Sequence, residues 1–259
     1  MELVGILRWA VELGRIDIQY EVTALSSYIA SPREGHLQAA LHIFAYLKAK
    51  PNRWIFMDPR YPGQFEGTLA PISTEWDALY PDAQESIPPN MPTPRGKHVE
   101  VTCFVDADHA SNRVTRRSHT GFILLVNMAP VLWYSKRQNT VESSSFGSEF
   151  IAMRIAVDHI EALRYKLRMF GIPLSCNKTA GAVPAMVYSD NQSVVTNASD
   201  ALSKLNKKHN SIAFHRVCEA CAGKWIQVAK VDTNHNWADP LTKSLDILKR
   251  ENIFNKYMY

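Results

Sequence analysis

The chain is poor in cysteine: Cys103, Cys176, Cys218 and Cys221 are all it has in 259 residues, too few and too irregularly spaced for a disulfide scaffold. That scarcity fits a reducing, intracellular setting. Long apolar runs are lacking as well. The nearest, residues 121–134, is interrupted by Asn127 and Pro130, whereas a membrane span needs about twenty apolar residues, so no membrane contact is expected. The first twenty residues carry Glu2, Arg8, Glu12 and Arg15 within an amphipathic pattern, so they are not expected to act as a signal peptide. There is no internal repeat, no low-complexity tract and no large charge imbalance. A net charge of +4 permits contact with nucleic acid without demonstrating it. What the chain has in quantity is apolar surface to bury: 46% hydrophobic and 10% aromatic residues exclude wholesale disorder and support a sizeable core.

Proline is unevenly spread. Nine of the fourteen prolines lie between residues 51 and 95, where periodicity is weak, so residues 51–97 read as a connector. Before it, Leu37, Ala40, Leu41, Phe44 and Leu47 form a stripe that predicts a helix over 35–50, and a shorter pattern covers 3–13; residues 1–50 form a small helical segment. After it, residues 99–106, 121–126 and 131–135 read as an antiparallel meander of three strands. A long helix over 143–170 carries Phe146, Met153, Ala156, Ile160, Leu163 and Leu167 on one face. Residues 185–189 and 224–231 are further strands, and helices are expected over 207–222 and 240–254. The order β-β-β-α-β-α-α-β-α predicts an α/β fold over 98–259, a mixed five-stranded sheet flanked by helices.

Carboxylates punctuate this pattern. Asp106 and Asp190 each end a hydrophobic strand, at the sheet edge where α/β proteins bind ligands; the plain alternative is that each starts a turn. Glu149 lies on the apolar stripe of the long helix, where an unpartnered carboxylate would cost roughly several kcal/mol in desolvation. Asp239, directly before Pro240, reads as a helix N-cap, a role compatible with presenting a carboxylate to a metal. Oxygen donors without accompanying cysteines favour Mg²⁺ or Mn²⁺ over zinc. Cys218 and Cys221 lie within a helical pattern with no second pair, which argues against a zinc site there.

Seven motifs in order then carry a resemblance: Phe104-Val105-Asp106-Ala107-Asp108, Arg116-Arg117-Ser118-His119-Thr120-Gly121, Trp133-Tyr134-Ser135-Lys136-Arg137-Gln138, Ser143-Ser144-Ser145 leading to Ser148-Glu149-Phe150, Tyr188-Ser189-Asp190-Asn191, Lys208-His209, and Ala238-Asp239-Pro240-Leu241-Thr242-Lys243. Together they resemble the ribonuclease H domain of copia-type retrotransposon polyproteins over roughly residues 98–250. Residues 1–50 resemble the end of the preceding reverse transcriptase through Leu3-Val4-Gly5, Arg15-Ile16-Asp17-Ile18, Pro32, His36-Leu37 and Tyr46-Leu47-Lys48, with Ile16 where the family usually has proline. The Tyr-x-Asp-Asp signature of the polymerase occurs nowhere, so DNA synthesis is not implied.

The resemblance implies that Asp106, Glu149, Asp190 and Asp239 bind two Mg²⁺ ions, with Mn²⁺ as a substitute, to hydrolyse the RNA strand of an RNA–DNA hybrid during reverse transcription. Arg113, Arg116, Arg117, Lys136 and Arg137 are then candidate phosphate contacts, with a solvated face as the alternative, and Asn191 and Gln192 either read the sugar edge or only shape a turn. Lys204, Lys207, Lys208 and His209 form a second basic group; Asp108 and His235 are auxiliary candidates. The implied partner is the polymerase part of the same polyprotein, in a cytoplasmic virus-like particle or alternatively the nucleus. The competing reading is an idle retrotransposon remnant that at most binds nucleic acid. Integrases and transposases usually place their glutamate late in the chain, whereas Glu149 precedes Asp190.

Overall fold

The computed structural model describes every residue except 64, 66, 71, 72, 178–180, 206 and 207, with only the backbone described at 176, 177 and 181; Lys207 of the second basic group therefore lies outside the described residues. Three helices open the chain: α1 (Glu2–Glu12), α2 (Gln19–Ser26) and α3 (Glu34–Ala49). They enclose a small core of Leu7, Val11, Ile18, Val22, Leu25, Ala40 and Ile43. The stretch that reads as a connector has structure of its own, the strand β1 (Gly67–Leu69) and the short helix α4 (Trp76–Leu79), whose Trp76 is buried in the main core.

The meander follows as β2 (Val101–Asp108), β3 (His119–Val126) and β4 (Ala129–Arg137), then the long helix α5 (Ser145–Met169). After a two-strand turn of β5 (Cys176–Asn177) and β6 (Gly181–Ala182) come β7 (Ala185–Ser189), α6 (Gln192–Ser199), α7 (Ser211–Ala222), β8 (Ile226–Val231) and α8 (Ile247–Phe254). The five expected strands are all present. The sheet has six, in the order β1-β8-β7-β2-β3-β4, because β1 pairs antiparallel with the edge of β8. β7 runs parallel to both β2 and β8, whereas β2, β3 and β4 are antiparallel.

Alternation along β2 assigns the two faces. Cys103, Val105 and Ala107 pack with Phe150, Met153, Ala156 and Ile160 of α5 and Val217 and Cys218 of α7. The Cys218 thiol is pushed up to about 12 by burial, so this pair of cysteines is core. Phe104 faces the other way and stacks on Tyr188 and Trp237 at centroid distances of 5.0 and 4.9 Å. Complete burial of such aromatic surface is worth roughly 1.5–3 kcal/mol per side chain.

The closing helix expected over 240–254 is divided. A 3₁₀ turn covers Asp239–Leu241, and α8 begins only after Asp246, whose carboxylate accepts from the Lys249 N–H. The interruption has a local cause: the Thr242 hydroxyl is engaged with the Asp239 carbonyl and the Asp106 carboxylate, which holds the turn against the sheet. α8 then ties the opening helices down. Arg250 pairs with Glu21 at 3.0 Å and lies over the Tyr46 ring, Arg53 pairs with Glu251 at 2.7 Å, and residues 54–56 hydrogen-bond with Tyr257 and Tyr259.

Candidate active site

Adjacent strands deliver the first two carboxylates. The parallel register Val105↔Ser189 carries Asp106 and Asp190 off neighbouring carboxyl ends. The third arrives from the far end of the chain. Asn236 donates from Nδ2 to the Val105 carbonyl at 3.0 Å and accepts the Ala238 N–H, fixing the loop that bears Asp239 beside β2. Gly121 makes the approach feasible: a Cβ there would stand 2.6 Å from Thr242 Cγ2 and 2.8 Å from Leu241 Cβ. As a result, carboxylate oxygens of Asp106, Asp190 and Asp239 all lie within 4.8 Å of one another, with Asp106 and Asp239 buried and Asp190 half-buried.

Glu149 reaches the same edge from α5. Ser144 caps that helix by accepting the Gly147 N–H, and Gln138 donates to both Thr120 Oγ1 and the Ser148 carbonyl, which pins the helix start to the end of β4. Glu142 and Asn210 close in at Gly147, where a Cβ would stand 2.5 Å from Glu142 Oε2 and 2.7 Å from Asn210 Nδ2, so a larger residue there would displace those side-chain ends. Glu149 is buried, is held by the Ala107 N–H, and leaves Oε2 without a hydrogen-bond partner. Burial, reinforced by the charges of Asp106 and Asp190, raises its carboxyl well above the usual range. It stands outside the 4.8 Å group yet feels two of its three charges.

Burial is also the main cause that lifts the Asp106 carboxyl to about 7; Asp239 and Asp190 push the same way, against Lys243 and the Thr242 hydroxyl. Two lysines offset the cluster. Lys243 Nζ lies 3.0 Å from Asp239 Oδ1 and 3.5 Å from Asp106 Oδ2, and Lys249 Nζ lies 2.5 Å from Asp239 Oδ2. Burial alone would lower the Lys243 ammonium, but Asp106 and Asp239 outweigh it and hold it protonated. The Asp239 N-cap expectation is not met. Ala238 occupies the cap position, no side-chain cap bond forms, and the Asp239 carboxylate faces the lysines.

The other candidates divide. Asp108, half-buried on the same face as Asp106, has its carboxyl raised by burial and by Asp239, against Ser111, Lys243 and His109. His235 is exposed in a 3₁₀ turn outside the carboxylate group. Asn191 caps α6 with Oδ1, and Gln192 donates to Thr196 Oγ1, so turn and helix chemistry account for both. Arg113, Arg116 and Arg117 lie on the β2–β3 loop, and Lys136 and Arg137 close β4. None of these five makes an ion pair among the described residues. The parts that sequence reasoning missed are Lys249, Thr242, Asn236 and the function of Lys243. The Ala-Asp-Pro-Leu-Thr-Lys run displays two of them, Thr242 and Lys243, but their contacts with Asp106 join residues more than a hundred positions apart.

The candidate metal ligands here are all carboxylate oxygens, and one of them, Glu149 Oε2, is buried with no hydrogen-bond partner among the described residues. Such a set suits a hard divalent cation.

No protein-family model matches the chain. It is 25% identical over 254 residues, 98% of its length, to the retrovirus-related Pol polyprotein from transposon RE1 of Arabidopsis thaliana, and 25% identical over 240 residues to that from transposon TNT 1-94 of Nicotiana tabacum. It spans about one-seventh of these relatives, 14% and 15%. Among solved structures, the N-terminal RNase H domain of a Mycobacterium tuberculosis protein aligns at 16% identity over 56% of this chain and 91% of that one, with a TM-score of 0.41. An RNase H1 isolated from compost, LC11, solved with an RNA/DNA hybrid, aligns at 13% identity over 55% and 94%, with a TM-score of 0.40. These overlaps are too loose to carry detail. The chain is thus a homologue of retrovirus-related Pol polyproteins from transposons, and a copia-type origin is consistent with those relatives.

Proposed function

We propose that this chain is a ribonuclease H, a metal-dependent hydrolase that cuts the RNA strand of RNA–DNA hybrids during retrotransposon reverse transcription. The observation that carries the reading is the convergence of Asp106, Asp190 and Asp239 within 4.8 Å, with buried Glu149 beside them. Four carboxylates at one sheet edge are a costly arrangement for a fold to keep, and a cation-binding role offsets that cost. Every member of the quartet is intact, and no observation favours an idle remnant.

Asp106, Glu149, Asp190 and Asp239 would hold Mg²⁺. The ion's chemistry is to lower the pKa of a bound water and to stabilise charge on a leaving oxygen. The remaining work falls to the protein. Lys243, ammonium-bearing and half-exposed, supplies a positive charge at the same edge. Arg113, Arg116, Arg117, Lys136 and Arg137 bind flanking phosphates, and the Asn191 side-chain amide N–H, which makes no hydrogen bond among the described residues while its oxygen caps α6, meets a 2′-hydroxyl. Exposed Ile6 and Trp9 on α1, Leu13 just after it, and Leu37 and Leu41 on α3 suit a face covered by the polymerase part of a longer polyprotein. A cytoplasmic particle is the proposed setting.

The test is cleavage of a labelled RNA–DNA hybrid in Mg²⁺, with RNA and DNA duplexes as controls, by the wild type and Asp190→Asn. Hybrid-specific cutting that disappears in the variant supports the proposal. A folded wild type that leaves the hybrid uncut in both Mg²⁺ and Mn²⁺ overturns it.

A further inference from the structure

A groove of about 440 Å³ separates the opening helices from the end of β4. Arg8 of α1 and Gln19, Thr23 and Ser26 of α2 form one wall; Lys136 and Arg137 belong to the other. Two further clefts continue from it. One, of about 270 Å³, includes Arg113 and Arg117 of the β2–β3 loop; the other, of about 380 Å³, extends to Arg154 and His209. Arg137 lines all three, so they form one track. Its carboxylates are two: Glu12, exposed on α1, and Glu142, which is paired with His209 at 3.1 Å.

Most of the arginine charge along this track makes no ion pair among the described residues; Arg154, paired with Asp158, is the exception. Among the described residues, eight of the fifteen arginines are ion-paired: Arg15, Arg53, Arg60, Arg154, Arg164, Arg168, Arg216 and Arg250. Of the seven with no ion pair among the described residues, four (Arg8, Arg113, Arg117 and Arg137) line the track. Gln19, Thr23, Ser26 and Ser27 give the helical wall hydrogen-bonding groups beside the apolar Val11 and Val22. Cationic forks interleaved with small polar groups are the composition that binds a phosphodiester backbone.

Position ties the track to the carboxylates. Ser135, on its floor, is in register with Gly121, which is in register with Asp106. Two strand spacings make that separation about 10 Å, or roughly three base-pair steps at about 3.4 Å each. Ser135 also donates to the Leu241 carbonyl in the turn that bears Asp239, and its own carbonyl accepts from Thr23 of α2 at 3.3 Å. The helical wall is thus built onto the floor beside the site.

We infer that this track binds the sugar-phosphate backbone of nucleic acid leaving the carboxylate site, and that the opening helical segment, through Arg8 and the polar face of α2, is part of the substrate-binding surface. The inference deepens the ribonuclease H proposal and rests on it for the identity of the duplex.

The experiment measures binding of a short fluorescent RNA–DNA hybrid to the full chain by anisotropy in EDTA, across roughly 50–200 mM salt, beside a cleavage arm in Mg²⁺. Arg8→Gln/Arg137→Gln should lower the slope of log affinity against log salt by ~1.8, about 0.9 for each phosphate no longer neutralised, and weaken binding at least ~10-fold near 0.1 M salt. Arg33→Gln/Arg95→Gln removes the same charge from unpaired arginines outside the track and should leave the slope unchanged. Melting curves of both double variants confirm folding. An unchanged slope in the track variant, or equal losses in both pairs, overturns the inference. If the wild type cuts hybrid while the track variant binds normally, the track assignment fails and the hydrolase stands. If the slope drops but nothing is cut, the track stands and the hydrolase fails.

Discussion

Replacing Asp106 by asparagine should make the metal-free protein more stable. Asp106 is 1% exposed, and its carboxyl is raised to about 7 from an ordinary value near 3.8, by burial first and by its acidic neighbours, net of Lys243 and Thr242. Between pH ~4 and ~7 the folded state therefore binds more protons at this position than the unfolded chain, so stability falls as pH rises through that window. Above it the full penalty is present. A difference of about three pKa units at about 1.4 kcal/mol each corresponds to about 4 kcal/mol. Asparagine removes the charge while keeping the shape and an acceptor for the Thr242 hydroxyl. Allowing for an imperfect amide fit, Asp106→Asn should gain about 2–4 kcal/mol at pH 8, or roughly 5–10 °C in Tm for a chain of this size. The assay is thermal unfolding of both proteins in EDTA at pH 8 and pH 5. The gap should be large at pH 8 and shrink at pH 5, and Mg²⁺ should raise the Tm of the wild type more than that of the variant. A variant less stable than the wild type at pH 8 in EDTA would refute the reasoning, because it would mean that the ionised carboxylate holds the fold together.

Three more outcomes are expected. Gly121→Ala should cost about 1–3 kcal/mol and cut hybrid cleavage sharply while the far-UV spectrum persists, since a Cβ at 2.6 Å from Thr242 must lift the turn that bears Asp239. His119, which burial and then Arg137 depress to about 4, is stabilising in its neutral form; that contribution of about 3 kcal/mol is complete above pH ~6.5 and is lost as pH falls toward 4, so urea titrations should show His119→Gln closing the gap to the wild type over that range. Lys243→Met should destabilise the protein in EDTA by leaving Asp106 and Asp239 without a shared counter-charge, and should enlarge the Tm rise produced by Mg²⁺, because the ammonium no longer competes with the cation.

Most of the sheet was legible because its strands are apolar runs ended by carboxylates, and residues 185–189 begin and end as their sequence predicts. Glu149 was legible for a related reason: a charge on the Met153–Ile160 face has no ordinary explanation. β1 was not. Its three residues are exposed and owe their pairing to the free edge of β8, which no local pattern reports. The closing helix was overextended because 3.6-residue periodicity continues across Thr242, whose hydroxyl is claimed by a carboxylate 136 positions away. Asp239 before Pro240 displays the local chemistry of a cap, and attraction to the ammonium groups of Lys243 and Lys249 overrides it. The role of Arg8 was invisible because only the docking of α1 and α2 beside β4 sets it opposite Arg137.

The opening helices and the sheet are joined by more than the backbone that runs between them. Glu21 is gripped by Arg250, Arg53 by Glu251, and Trp54 and Phe56 are hydrogen-bonded to Tyr259 and Tyr257. A protease that severed the chain near Arg60 would therefore release nothing. The two fragments would separate on a denaturing gel yet travel as one particle through a sizing column, and a maturation cut at that point would leave the assembly whole.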